Sequence, residues 1–560
     1  MVKFEEIKYK RIDYEDTKEK LIELEQRLKS SKDKIEFLSV FREINLLHLE
    51  VEECYDYADI CNMRNEDNEF YKGETEYWNS VKPKFDLLFL NIYRYCLNVP
   101  FKEELKDMIP ENFLNSIYYE TKISSDDILE LKKKDSELKS AYRRVLRKKC
   151  LFRGELHPLS YVSSFFTSSN RGERKEAHDA YNNFFLENGD KLDSIFYEMI
   201  KVRNEIASKL GFKNYSEVSI YSLRRFGYNY THIRKFRDNV RKYMLSLVNK
   251  ISDIQKHELQ LDSLEYYDTA FYKESPELLY IGEDLLVKMK EVFNKISKEL
   301  GSFYADMYDF GFIDLLSRDN KVNFAITNYL ALEGIPVITG NFKNKYTDLI
   351  TLSHEFGHAF QKFQASIEDK KHIVSPLLKY PTFEIAEMFS YGMQLIILDY
   401  VKDLFSKEDY HKFVFLSIKD LITTMPYICA VDEFQEVVYN TDDISISKIR
   451  ETWLELCKKY DLVQRNCGHE NLDNGGYFYR QSHIFLNPFY YIDYAISYFG
   501  ALAIWQKSDK NLDTFQEIAK VASYYPLDKL IDRFDISNPF DEESVKQLSL
   551  FLKDKLKRNL

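Results

Sequence analysis

Residues that break helices are scarce along this chain. Its 17 glycines and 12 prolines make up about 5% of 560 positions, against about 12% in average usage. A sequence so poor in turn formers cannot supply the many tight connections of a β-sandwich or barrel, nor a collagen-like repeat or long flexible linkers. The expected class is mainly α, a large helical body. Apolar spacing agrees: Leu21, Leu24 and Leu28 form one helical stripe, and Phe37, Phe41 and Ile44 begin another. Ser124 with Asp127, ahead of Ile-Leu-Glu-Leu, predicts a capping box at a helix start. The stretch 151–170 is the poorest in helical pattern within the first third. It places a soft boundary between an N-terminal helical portion, 1–160, and the remainder, 161–560, packed as one body.

Charge and apolar content narrow the function. A 44% hydrophobic content with 41 phenylalanines and 42 tyrosines gives ample core and excludes intrinsic disorder. Net charge is −12, from 79 basic and 91 acidic residues, which argues against nucleic-acid or anionic-membrane partners. The basic run Arg143 to Lys149 is read as a solvated helix end. No apolar run approaches the roughly 18 residues that cross a bilayer. The first twenty residues are too charged for a secretory segment and too acidic for a transit peptide, so a soluble, cytoplasmic protein is expected. The seven cysteines (54, 61, 96, 150, 429, 457 and 467) form no CxxC pair. They indicate reduced thiols, mostly core, and neither a disulfide framework nor a cysteine zinc site.

One region departs from helical pattern. Val322, Phe324 and Ile326 alternate with Asn323, Ala325 and Thr327, and Gly334 then precedes Ile335-Pro336-Val337-Ile338-Thr339. This predicts a small β-sheet. Pro336 cannot donate to a ladder, which makes its strand the expected edge.

Just downstream stands His354-Glu355-Phe356-Gly357-His358. On a helix, residues four apart share a face, so both imidazoles can bind one zinc ion while Glu355 acts on water as general base. A third ligand is required. The extended HExxHxxGxxH pattern fails, because Ala359 to Gln364 supply no further histidine. That leaves a carboxylate from another helix. Glu384 and Glu387, three apart among Ile385, Met388 and Phe389, are costly there unless paired or metal-bound. One would ligate zinc while the other orients a ligand histidine. Near the C-terminus, His483 precedes Tyr490, Tyr491 and Tyr494. Packing is the commoner role of such a cluster; the alternative is a set of donors to a developing oxyanion.

HEFGHAFQ, EIAEMFS and HIFLNPFYYIDY, in that order, resemble the thimet oligopeptidase and oligoendopeptidase F family, in particular its bacterial Pz-peptidase-like branch. Similarity extends through IPVITGNFKNKYTDLITL, RNEIASKLGFKNYSEVSIY and the opening FEEIKYKRIDYED, covering nearly the whole chain. The resemblance implies a helical body enclosing a deep substrate channel, with a small β-sheet beside the HExxH helix. It implies one zinc per chain on His354, His358 and Glu387, since Ser390 completes the family's E-x-x-S element after Glu387; Glu384 then supports the ligands from outside. His483, Tyr490 and Tyr494 match positions that contact substrate and stabilise the tetrahedral intermediate. Asn320 to Phe324 replace a glycine-rich turn of close relatives, which bears on subsite shape. The expected activity is endopeptidase cleavage of short peptides, whose backbone would add to the edge from Pro336 to Asn341, at Gly340 and Asn341. The rivals are a zinc carboxypeptidase of similar build, whose element usually has a histidine where Ala386 stands, and a non-catalytic peptide-binding protein.

Overall fold

The computed structural model describes residues 2–100, 102–105, 109–369, 376–462, 468–508 and 512–558. It is 72% helical, so the mainly α expectation holds. Leu21, Leu24 and Leu28 form the buried stripe of the helix Tyr14–Ser30, whose N-terminus is capped by Asp13 accepting from the backbone of Glu15 and Asp16. Phe37, Phe41 and Ile44 are buried in the helix Lys34–Arg64. A continuous apolar core runs from Leu21 to Leu556.

Three sequence expectations shift in the structure. The cap predicted at Ser124 belongs to Ser125, which has extended backbone and accepts the Asp127 N–H at 3.2 Å. Ser124 instead donates to Glu120. The poorly helical stretch near 151–170 holds a hairpin, β1 (Cys150–Phe152) paired with β2 (Glu155–His157). Arg153 and Gly154 make its turn with both φ angles positive, as a two-residue primed turn requires. Finally, the helix Lys407–Asn440 is long and apolar enough to span a bilayer by composition, although 67% of its apolar window is buried inside the protein. Polar residues such as Lys419 and Asp420 interrupt its apolar runs, which hides it from a search for unbroken ones.

The basic run closes the helix Leu129–Leu146, with Arg143 and Arg144 in its last turn, where carbonyl ends favour cations. No two of the six described cysteines are joined by a disulfide, and four of them are buried; Cys467 lies outside the described residues.

The second sheet has three strands in the order β3-β5-β4: β3 (Ile313–Asp314), β4 (Ile326–Leu330) and β5 (Ile335–Thr339). The strand carrying Pro336 is therefore central, contrary to the edge expectation. It pairs antiparallel with β4, and parallel with β3 at Ile313–Ile338 and Asp314–Thr339. The N–H groups of Ile338 and Gly340 reach towards β3. Pro336 has the same parity, so its missing N–H falls on that side, past the end of a two-residue strand, and no bond is lost. The edges are β3 and β4, and β4 begins at Ile326 rather than Val322.

Candidate active site

The HExxH motif lies within the helix Thr347–Asp369. His354 and His358, one turn apart, have ring centroids separated by 5.0 Å. A second helix, Phe383–Ile396, crosses close to the first. Gly357 allows that approach, because a Cβ there would stand 2.7 Å from Ser390 Cα. On the far side, a Cβ on Gly500, in the helix Ile492–Ser508, would stand 2.6 Å from Met388 Cγ. The second helix is thus gripped between two glycines.

This packing brings Glu387 onto the histidines. Its Oε2 is 3.4 Å from His354 Nε2, and its Oε1 is 3.6 Å from His358 Nε2. Two donors about 2.1 Å from one tetrahedral ion stand about 3.4 Å apart, so the spacing fits a metal ion. The protonation preferences fit as well. Burial lowers His354 to about 4 and takes His358 well below the usual histidine range, leaving neutral imidazoles. Burial also raises the Glu387 carboxyl to about 7, with the Ser390 hydroxyl, 2.7 Å away, opposing the rise. A carboxylate so placed is stabilised by a cation.

Glu355 is 6% exposed. Thr327 Oγ1, on β4, donates to its carboxylate at 2.7 Å. Burial, with some repulsion from Glu387, lifts its carboxyl to about 7, a value suited to passing a proton near neutrality. Beside these groups is a cavity of about 290 Å³ whose lining includes Ile326 and Thr327 of β4.

The elements bring His483, Tyr490 and Tyr494 into one cluster. His483 stacks on Tyr491 at 4.6 Å, and its centroid lies 6.1 Å and 6.0 Å from those of Tyr490 and Tyr494. Phe383, which opens the Glu387 helix, packs against both tyrosines. Burial raises both phenols, and the Glu387 charge adds to the rise, so they stay protonated donors. The preceding residue, Phe489, has φ +67°, rare for a bulky side chain. Gln435 Oε1 accepts its N–H at 2.9 Å, and Arg225 donates to its carbonyl at 2.6 Å.

Other expected residues lie elsewhere. Glu384 is fully buried on another side of its helix, accepting from Thr382 and facing the Arg225–Asp493 pair; the group against His354 Nδ1 is the Gln394 amide, at 2.8 Å. The Gly340 N–H is taken by Asp314 O, and the Asn341 side chain bonds the Arg318 backbone in both directions. Both therefore face the β3 side of the sheet, with those polar groups engaged internally, which corrects the expected peptide-binding edge. The structure adds Thr327, Gln394 and Tyr391, whose ring meets His354 edge-on at 5.0 Å. A signal for two of them exists, since Tyr391 and Gln394 follow Glu387 by four and seven residues on one helical face.

A histidine pair on one helix, a glutamate from a crossing helix and a helical body define the HExxH-plus-glutamate class of metal-site proteins. The chain belongs to peptidase family M3: "Peptidase family M3" matches residues 164–280 and 283–549, and "Peptidase M3 N-terminal domain" matches 4–124. Pz peptidase A, solved with an inhibitor, is 29% identical, superposes with a TM-score of 0.85 and covers 99% of each chain. Oligopeptidase PepF of Bacillus subtilis (strain 168) is 23% identical over 66% of this chain and 54% of its own length. An oligoendopeptidase F homolog of Mycoplasma genitalium is 22% identical over 48% of this chain and 44% of its own. The matches thus span about half the length of these curated relatives.

Proposed function

We propose that this protein is a zinc-dependent endopeptidase that hydrolyses internal bonds of short peptides. The observation that carries the reading is the convergence of His354, His358 and Glu387 at ligand spacing, with Glu355 held beside them by Thr327. A zinc ion there would polarise the scissile carbonyl and lower the pKa of water towards about 7. Glu355 takes a proton from the attacking water and returns it to the leaving nitrogen, which its buried position near neutrality suits. His483, Tyr490 and Tyr494 donate to the oxygen on which charge develops. An extended substrate lies along the outer edge of β4, whose other side is paired with β5; main-chain bonds of this kind tolerate varied sequences. Pz peptidase A, itself an inhibitor-bound peptidase structure, supports this reading by its fold and 29% identity.

Glu355→Gln tests it. Metal content, by atomic emission, is expected to stay near one zinc per chain while hydrolysis of a quenched peptide falls below detection. Loss of zinc together with activity would make Glu355 a ligand or a structural group and overturn the assignment. Internal cuts in a C-terminally amidated peptide are also expected; release of single terminal residues would favour the carboxypeptidase rival.

A further inference from the structure

Arg480 closes the 3₁₀ turn Gly476–Arg480, three residues ahead of His483. Its guanidinium sits among aromatic rings, 5.0 Å from the centroids of Tyr181 and Tyr477 and 5.6 Å from that of Phe166. Other enclosed arginines are neutralised: Arg203 by Asp135, Arg225 by Asp493, and Arg237 by Asp432 and Glu436. Arg480 has no ion pair or side-chain hydrogen bond among the described residues. Its side chain is only partly buried, and none of its nitrogens is sealed from solvent, whereas Arg225 and Arg237 each keep a sealed, unpartnered one. The rings surround it at cation–π distance, and its N–H groups keep access to solvent.

A strip of half-buried rings links this cation to the candidate site. Tyr491, stacked on His483, lies 6.2 Å from Tyr427, and Tyr427 lies 6.0 Å from Tyr477. Gln481 ties the strip together, accepting from the Tyr427 hydroxyl at 2.9 Å with its amide nitrogen 2.7 Å from His483 Nδ1. We propose that Arg480 is a substrate subsite that takes a carboxylate of the bound peptide, from an acidic side chain or from the C-terminus. The surrounding rings restrict where the guanidinium can move, and its planar, unused N–H fork matches a carboxylate. The proposal rests on reading the His354–Glu387–His483 region as a peptidase site.

The test is made on the full chain carrying Glu355→Gln, so that peptides bind without being cut. N-terminally fluorescein-labelled octapeptides are titrated by anisotropy, with glutamate or glutamine scanned through the sequence and with free or amidated C-termini. Removing the recognised carboxylate is expected to weaken Kd about tenfold or more, and the peptide that loses affinity identifies the source. Adding Arg480→Gln should bring that ratio to about one, and Arg480→Lys, which keeps charge without the fork, should leave it intermediate. A ratio unaltered by Arg480→Gln, equal binding of all peptides before that change, or an equal loss for every peptide after it would overturn the subsite. Turnover by the unmodified chain is read in parallel. A carboxylate preference without any turnover would sink the peptidase reading and leave the subsite standing.

Discussion

Glu384 and Glu387, three residues apart on one helix, meet unlike surroundings. Glu387 faces two imidazoles. Glu384 is sealed in, with Thr382 on one oxygen and no partner on the other. Glu387→Ala is expected to lose zinc far more readily than Glu384→Ala, since an outer group typically accounts for about 10–100-fold in affinity. Competition with a chromogenic chelator measures both, and the reverse order would exchange their roles. Burial and the neighbouring Asp493 raise the Glu384 carboxyl to about 8, so the folded chain holds a proton that an unfolded glutamate releases near about 4.3. The folded state binds more protons between those values, and stability falls as pH rises through that window. Relative to Glu384→Gln, which cannot ionise, the unmodified chain should lose Tm steadily from pH 5 to 8; parallel Tm curves would refute the assignment. His483→Ala and Tyr490→Phe are expected to lower kcat by about 10²–10³ with zinc retained. A change confined to KM would make them binding residues only.

Packing of elements sets the ligand spacing. Gly357→Ala would place a methyl against Ser390 Cα and push the Glu387 helix outwards, so a marked loss of zinc affinity is expected by the same chelator titration. Gly73, in the helix Glu69–Arg94 with nothing within 4 Å of its missing Cβ, is the contrasting case. Gly73→Ala should raise stability by about 1 kcal/mol, read as a higher Tm. The contrast also shows which features a sequence exposes. The HExxH pair was legible because helical period alone puts residues 354 and 358 on one face. The same period puts Glu384 and Glu387 close together, so it could not say which one faces the histidines; the crossing at Gly357 decides that. Alternation revealed a sheet, but not that β3 would pair beside the strand of Pro336, nor that β3 is too short to need the missing N–H. The role of Thr327 is not legible in the sequence because its partner, Glu355, lies 28 residues on.

At the scale of the whole chain, exposure of the reacting groups limits what can be cut. The His354 and Glu387 side chains keep 21% and 13% of their surface, too little for a folded loop to reach. Cleavage should therefore favour peptides of up to roughly twenty residues, about 66 Å when extended, and spare folded proteins. Mass spectra of a peptide ladder and of casein, each with and without a chelator, check this; efficient digestion of casein would contradict it. The three proposed ligand positions fall within residues 354–387, on two helices packed against one another, whereas Thr327 comes from β4 and His483 and the tyrosines from much further along the chain. A partial opening that frees only the stretch from His483 to Tyr490, which lies outside these helices, would carry both donors away and leave the histidines and Glu387 together. Mild denaturant or long storage would then yield molecules still full of metal and wholly silent. For this protein a metal assay would count intact ligand sets, and only active-site titration would count working enzyme.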